Sequence, residues 1–165
     1  MYSFEPSDEQ KMLVETISRY ASGNLRPAAH DADEAAEFPY TLIHKGWELG
    51  VLQASIPETY GGFGEHSYIT GVLAAEEMAW GDLAGAMAVM TPGLFAFPIL
   101  ITGNDEQRQT YLPQISEGDW QPYSSALIEP AYNFDPQELK TTAQANGGVY
   151  TLNGEKVFVP FASQA

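Results

Sequence analysis

At Gly118-Asp119 the spacing of apolar residues changes, and this change constrains the fold more than any other feature of the chain. Before it, apolar side chains recur with a helical period between helix-capping and helix-stopping residues. After it, they alternate in short runs separated by glycine turns. A helical period cannot be laid onto a sheet, so the chain must hold two kinds of structure, one after the other.

The first part carries the helix punctuation. Ser7-Asp8-Glu9-Gln10 has the form of a capping box, in which Ser7 caps and Gln10 reaches back. Leu13, Ile17, Tyr20 and Ala21 then fall on one helical face, and Gly23 is the expected stop. Pro27 opens a short second helix over 28–36. Pro39 starts a third, with Leu42, Ile43 and Leu49 as its apolar positions and Gly50 as its end. Residues 51–58 read as an extended connection. The run Tyr60-Gly61-Gly62-Phe63-Gly64 follows, and its glycines allow positive φ and close backbone approach in a tight turn. A fourth helix is expected over 66–80, with Ile69, Val72, Leu73 and Glu76 on one face and Leu73, Glu77 and Trp80 on another. Gly81-Asp82 breaks it. An Ala- and Met-rich helix resumes to Thr91, and another spans 93–101 before Gly103. Asn104-Asp105-Glu106-Gln107 is a second capping box, opening a short helix to Tyr111. With about five to seven helices and little strand signal, residues 1–118 argue for a bundle.

The second part, 119–165, reads as strand–turn–strand. Ser124 to Ile128 is short and apolar, 141–145 alternates, Gly147-Gly148 is a turn and 149–153 is rich in strand formers. Over 155–161, Val157, Val159 and Phe161 alternate with Lys156, Phe158 and Pro160. So short a segment supplies opening hairpins without closing a barrel or sandwich, which leaves strand edges open. The expected fold class is mainly α: an N-terminal helical bundle followed by the opening strands of a truncated β domain, with the chain stopping inside that second domain.

Composition excludes several function classes. There is no cysteine, so disulfides, thiol nucleophiles and cysteine–zinc sites are out. His30, His44 and His66 lie far apart and in no metal-ligand spacing, so no metal site is expected. Seven Lys+Arg against 22 Asp+Glu give a net charge of −15, a surface that repels nucleic-acid phosphates and anionic lipid. Lys140 and Lys156 are the cations near the motif region, read as ordinary surface lysines. Met1-Tyr2-Ser3-Phe4-Glu5-Pro6 lacks the pattern of a secretory signal. Residues 83–104 are free of Lys, Arg, Asp and Glu and long enough for a bilayer, but Pro92, Pro98, Gly85 and Gly93 and the lack of flanking cations favour buried helices broken at Pro92. The expectation is a soluble, cytoplasmic protein with neither nucleic acid nor membrane as partner.

A set of motifs, in order along the chain, resembles the acyl-CoA dehydrogenase family. Phe38-Pro39, Glu48-Leu49-Gly50-Val51, Ile56-Pro57-Glu58-Thr59-Tyr60-Gly61-Gly62, Glu76-Glu77-Met78-Ala79 and Gly103-Asn104-Asp105-Glu106-Gln107 before Tyr111-Leu112-Pro113 are similar to its N-terminal helical domain. Ala126-Leu127-Ile128-Glu129-Pro130, Asp135, Lys140-Thr141 and Leu152-Asn153-Gly154-Glu155-Lys156 are similar to the start of its middle β domain. The resemblance implies a third, C-terminal helical bundle in the whole protein, FAD as cofactor and an acyl-CoA substrate oxidised to the trans-2-enoyl-CoA. It implies an electron-transfer flavoprotein as electron acceptor and a homo-oligomer at full length. A carboxylate takes the α proton on one face of the acyl chain while the flavin takes the β hydride on the other. In most members that carboxylate sits in the C-terminal bundle, so no catalytic residue is assigned here. Glu76, Glu77 and Glu129 are given structural or surface roles.

The resemblance places Leu127, Ile128, Phe158 and Val159 at the flavin and Phe134 at the substrate. Several of these positions depart from the family. Ile128 stands where a Thr or Ser hydroxyl bonds the flavin pyrimidine, and it offers only backbone groups. Asn133-Phe134 replaces a small Gly-Ser, and Ala131-Tyr132 precedes it. Phe158-Val159-Pro160 replaces Trp-Ile-Thr or Trp-Ile-Ser; Phe158 retains a ring to cover the flavin, and Pro160 has neither hydroxyl nor N–H. Two readings follow. One is a flavin-dependent dehydrogenase of which this chain carries part of the acyl and flavin cavity. The other is a non-catalytic family member acting as a structural or regulatory partner with a weakened flavin site. A helical interaction module without ligand ranks behind both.

Overall fold

The computed structural model describes residues 5–65 and 67–164. Among them are eight α-helices, α1 (Asp8–Tyr20), α2 (Arg26–Ala35), α3 (Tyr40–Trp47), α4 (Val51–Ala54), α5 (Tyr68–Gly81), α6 (Leu83–Met90), α7 (Gly93–Thr102) and α8 (Asp105–Ser116), then one antiparallel hairpin, β1 (Thr142–Asn146) and β2 (Val149–Asn153). The fold is mainly α, with strands only at its C-terminal side. The expected helix start at His66 and the first four residues lie outside the described residues.

Both capping boxes form. The Ser7 hydroxyl accepts from the Gln10 N–H at 3.2 Å while the Gln10 amide accepts from the Ser7 N–H at 2.9 Å. Asn104 and Gln107 repeat the exchange at 2.8 and 2.9 Å. Each box satisfies N–H groups that a helix start leaves without partners. Asp82, read as a breaker, also caps α6 through the Gly85 N–H.

Local structure departs from expectation at four places. Gly23 does not stop α1. A π turn over Ala21–Leu25 carries the helix straight into α2. Pro27 has no N–H for the Gly23 carbonyl and its ring would crowd that carbonyl; the wider turn relieves the clash, and the Arg26 N–H bonds back to Ala21. Residues 51–54 are not extended but form α4, entered from Gly50 at φ 71°. α8 runs past Tyr111 through Pro113; the carbonyl that this proline leaves free belongs to exposed Gln109, where water can bond it. Residues 155–161 are not a strand, because Phe158 and Phe161 adopt φ of 55° and 54° and turn the chain.

The core is built from Ile17, Leu25, Ile43, Ile56, Met78, Leu112 and Ile115, with both buried tryptophans around it. The Trp47 indole N–H donates to the Gly118 carbonyl at 3.0 Å and that of Trp120 to the Ala88 carbonyl at 3.1 Å, so neither ring buries an unpaired donor. The buried face of α5 is neither of the two read from its sequence. It buries Ala74, Met78 and Gly81 and exposes Ile69, Val72 and Trp80. The reason is close approach: a Cβ on Gly81 would lie 2.9 Å from the Ala21 Cβ, and only small residues let these backbones meet. The stretch free of acidic and basic side chains is two helices, α6 and α7, bent by 42°. No single helix among the described residues is long and apolar enough to cross a membrane.

Candidate functional site

The family resemblance leads one to expect flavin contacts on two segments far apart in the chain, and the fold brings those two segments together. The Val157 N–H donates to the Ile128 carbonyl at 2.9 Å. Leu127 and Ile128 therefore lie beside the segment that continues into Phe158 and Val159. On either side of that bond, the Lys156 ammonium donates to the Leu127 carbonyl at 3.1 Å and to Glu129 Oε1 at 2.9 Å. Of three consecutive residues, Leu127 and Glu129 are thus tied to Lys156 and Ile128 to Val157.

Glu129 is the centre of this arrangement and is 5% exposed. Its Oε2 accepts from the Lys140 N–H at 2.6 Å and its Oε1 from the Thr141 N–H at 2.9 Å, in addition to Lys156. The carboxyl is held down to about 2, first by the adjoining Thr141 hydroxyl, then by the Lys140 N–H and the Lys156 ammonium. The Thr141 Oγ1 is buried without a well-aligned partner, so the two N–H groups and the ammonium are the contacts with clear geometry. Lys156 is not the ordinary surface lysine expected from its sequence; its side chain is 20% exposed and paired. Gly154 lets the loop pass close, since a Cβ there would collide with Thr141.

The predicted residues themselves are apolar. Phe158 is 86% exposed, and its ring is available to cover a planar ligand. Leu127 and Ile128 are half-exposed, and Val159 is half-buried. Among the described residues, the backbone N–H groups of Leu127, Ile128, Phe158 and Val159 make no hydrogen bond within the chain. This donor set fits the polar edge of a flavin through backbone groups; neither Ile128 nor Pro160 adds a hydroxyl. Phe134 lies half-buried in the loop after Pro130, beside fully exposed Tyr132, and the Asp135 carboxylate accepts the Gln137 N–H at 2.8 Å to turn that loop. Among the described residues, no backbone hydrogen bond joins Phe134 to the tied segments.

A second feature lies in the helical part. A groove of ≈ 400 Å³ opens between α4, α5, α6 and α7, lined by Leu52, Tyr68, Val72, Met90, Phe97 and Ile101 among others. Its size and apolar walls suit a hydrocarbon chain. None of its lining residues belongs to the hairpin or to the loops around it. The Tyr60–Gly64 run lines neither feature as a block. It closes a turn onto α4, with the Phe63 N–H on the Gln53 carbonyl and the Gly64 N–H on the Ile56 carbonyl at 3.0 and 2.9 Å. Glu76 is exposed and Glu77 half-buried on α5.

Sequence reading missed the Glu129 site. Its donors come from residues 11, 12 and 27 positions away, so no local period could reveal them. The one available signal was a lone acidic residue inside an otherwise apolar run.

Comparison with known proteins adds the following. The family model described as "Acyl-CoA dehydrogenase, N-terminal domain" matches residues 7–119. An acyl-CoA dehydrogenase of Bacillus subtilis (strain 168) is 34% identical over 154 residues, covering 93% of this chain and 40% of the relative. The structure of butyryl-CoA dehydrogenase from Megasphaera elsdenii superposes with a TM-score of 0.86 at 29% identity, over 99% of this chain and 44% of that one. Acyl-CoA dehydrogenase complexed with FAD from Bacillus anthracis gives 0.76 at 30% identity, over 100% of this chain and 28% of that one. The chain spans about two fifths of the length of the curated relatives it matches.

Proposed function

The chain belongs to the acyl-CoA dehydrogenase family, and from that premise we propose that it serves the flavin-dependent oxidation of an acyl-CoA thioester to the trans-2-enoyl-CoA. The observation that carries this reading is the pairing of Leu127-Ile128 with Phe158-Val159 across the Val157–Ile128 hydrogen bond, with four unused backbone donors on the two segments. FAD, when bound, supplies the hydride acceptor for the oxidation. Leu127, Ile128 and Val159 would hold its polar edge through backbone groups, and the Phe158 ring would cover it and exclude water. Phe134 would meet the substrate. The apolar groove between α4 and α7 offers walls to an acyl chain. No residue of this chain is assigned the α-proton abstraction. Residues 1–118 would form the helical domain and 119–165 the start of the β domain, with the base in a further helical domain of the whole protein. An electron-transfer flavoprotein would take up the electrons, and the full-length protein would be a homo-oligomer.

One observation favours a second reading, a non-catalytic partner subunit: neither Ile128 nor Pro160 has a side-chain donor, so each flavin polar atom they would face depends on backbone or water. Titration of the protein with FAD, followed by anaerobic addition of butyryl-CoA, separates the two. The dehydrogenase reading predicts saturable FAD uptake by this chain. In the full-length gene product it predicts bleaching of the flavin band by the thioester. Absence of FAD uptake in both proteins would leave the partner-subunit reading.

A further inference from the structure

One buried ionisable group has no part in the reaction outlined above. Glu129 adjoins Ile128 in sequence, and its partner Lys156 lies two residues before Phe158. We propose that Glu129, clasped by Lys156, is a positioning residue that sets the spacing of the two flavin-facing segments; this rests on the flavin reading above.

The argument is geometric. Between residues 126–129 and 155–159 there is one backbone hydrogen bond, from the Val157 N–H to the Ile128 carbonyl, and no strand ladder. A single such bond leaves two loops free to rotate about it. The Lys156 ammonium removes that freedom by bridging the Leu127 carbonyl at 3.1 Å and Glu129 Oε1 at 2.9 Å, one on each side of the bond. Glu129 is itself held from behind by the N–H groups of Lys140 and Thr141 at the foot of β1. A buried carboxylate with three donors keeps one orientation, because any rotation strands a donor in a poorly hydrated place. The hairpin, the Leu127-Ile128 segment and the Phe158-Val159 segment therefore share one anchor. A cofactor held only by backbone donors depends on their mutual spacing more than one gripped by adaptable side chains.

The test uses the intact chain. Glu129→Gln keeps the size of the side chain and removes its charge. Lys156→Met removes the bridge and leaves the two backbone donors on Glu129, so the hairpin keeps its tie. Lys156→Arg restores a cation. FAD affinity is followed by titration, helical stability by far-UV circular dichroism and the Val157 amide by hydrogen exchange. The proposal predicts that Glu129→Gln and Lys156→Met each weaken FAD binding by about tenfold or more. Both should speed exchange at Val157, Lys156→Met should leave the helical melting temperature unchanged, and Lys156→Arg should recover most of the affinity. Wild-type FAD affinity in both variants overturns the positioning role and leaves the flavin reading standing. Failure of the wild-type chain to take up FAD overturns this inference, and failure of the full-length product as well overturns the flavin reading. Faster helical unfolding or a lowered melting temperature with unchanged affinity assigns the clasp to stability alone and also overturns the inference.

Discussion

At the scale of single residues, Glu129 makes the sharpest statement about pH. Its folded carboxyl sits near 2 against an ordinary 4.5, because the Thr141 hydroxyl, the Lys140 N–H and Lys156 favour the charged form. A lowered carboxyl value contributes stability that is complete above the unfolded value and disappears as pH falls through the folded one. The stability difference between wild type and Glu129→Gln is therefore expected to be constant above pH 5 and to shrink between about 4.5 and 2, measured by denaturant unfolding across that range. A difference independent of pH would contradict it. Ala36 gives a second residue-scale test. It ends α2 at φ 51°, where a side chain is strained and glycine is not. Ala36→Gly should raise stability by roughly 0.5 kcal/mol, readable as a shift in unfolding midpoint. These two residues differ in how readable they were. Ala36 sits where the helix was expected to end, but its conformation is not encoded by its own type. The partners of Glu129 lie too far along the chain for any local pattern.

At the scale of elements, punctuation was the most legible layer. The two capping boxes, the Gly50 turn and the Gly147-Gly148 hairpin turn, at φ 59° and 86°, are chemistry that a short window contains in full. Removing the second box by Asn104→Ala should cost about 1 kcal/mol in unfolding free energy. What the window does not contain is the neighbour. The π turn results from Pro27 meeting the end of α1, and the buried face of α5 is chosen by close approach to Ala21, which needs small residues, rather than by apolar area. Periodicity grouped Ile69, Val72 and Leu73 on one face, yet Ala74, Met78 and Gly81 are the buried residues. Two substitutions separate these accounts. Met78→Ala should cost about 2–5 kcal/mol, whereas Val72→Glu, at a position 65% exposed, should stay within about 0.5 kcal/mol. The reverse order would mean that the apolar face is the buried one.

At the scale of the whole molecule, the chain offers two separate surfaces to one proposed reaction. The apolar groove belongs to α4–α7, and the segments proposed to face the flavin belong to the loops around the hairpin. Family membership was legible because many short motifs occur in the right order, each setting a turn, cap or close contact. The joining of the two segments was not, because it depends on Lys156 and Glu129 meeting across 27 residues. A surface of net charge −15 repels an anionic ligand such as the proposed FAD, so binding that weakens as salt is lowered is expected. The measurement that addresses the central claim most directly is amide-resolved NMR of the chain during addition of FAD. The account predicts saturable shifts concentrated at Leu127, Ile128, Phe158 and Val159. Shifts absent from those four amides, or confined to residues lining the helical groove, would contradict it.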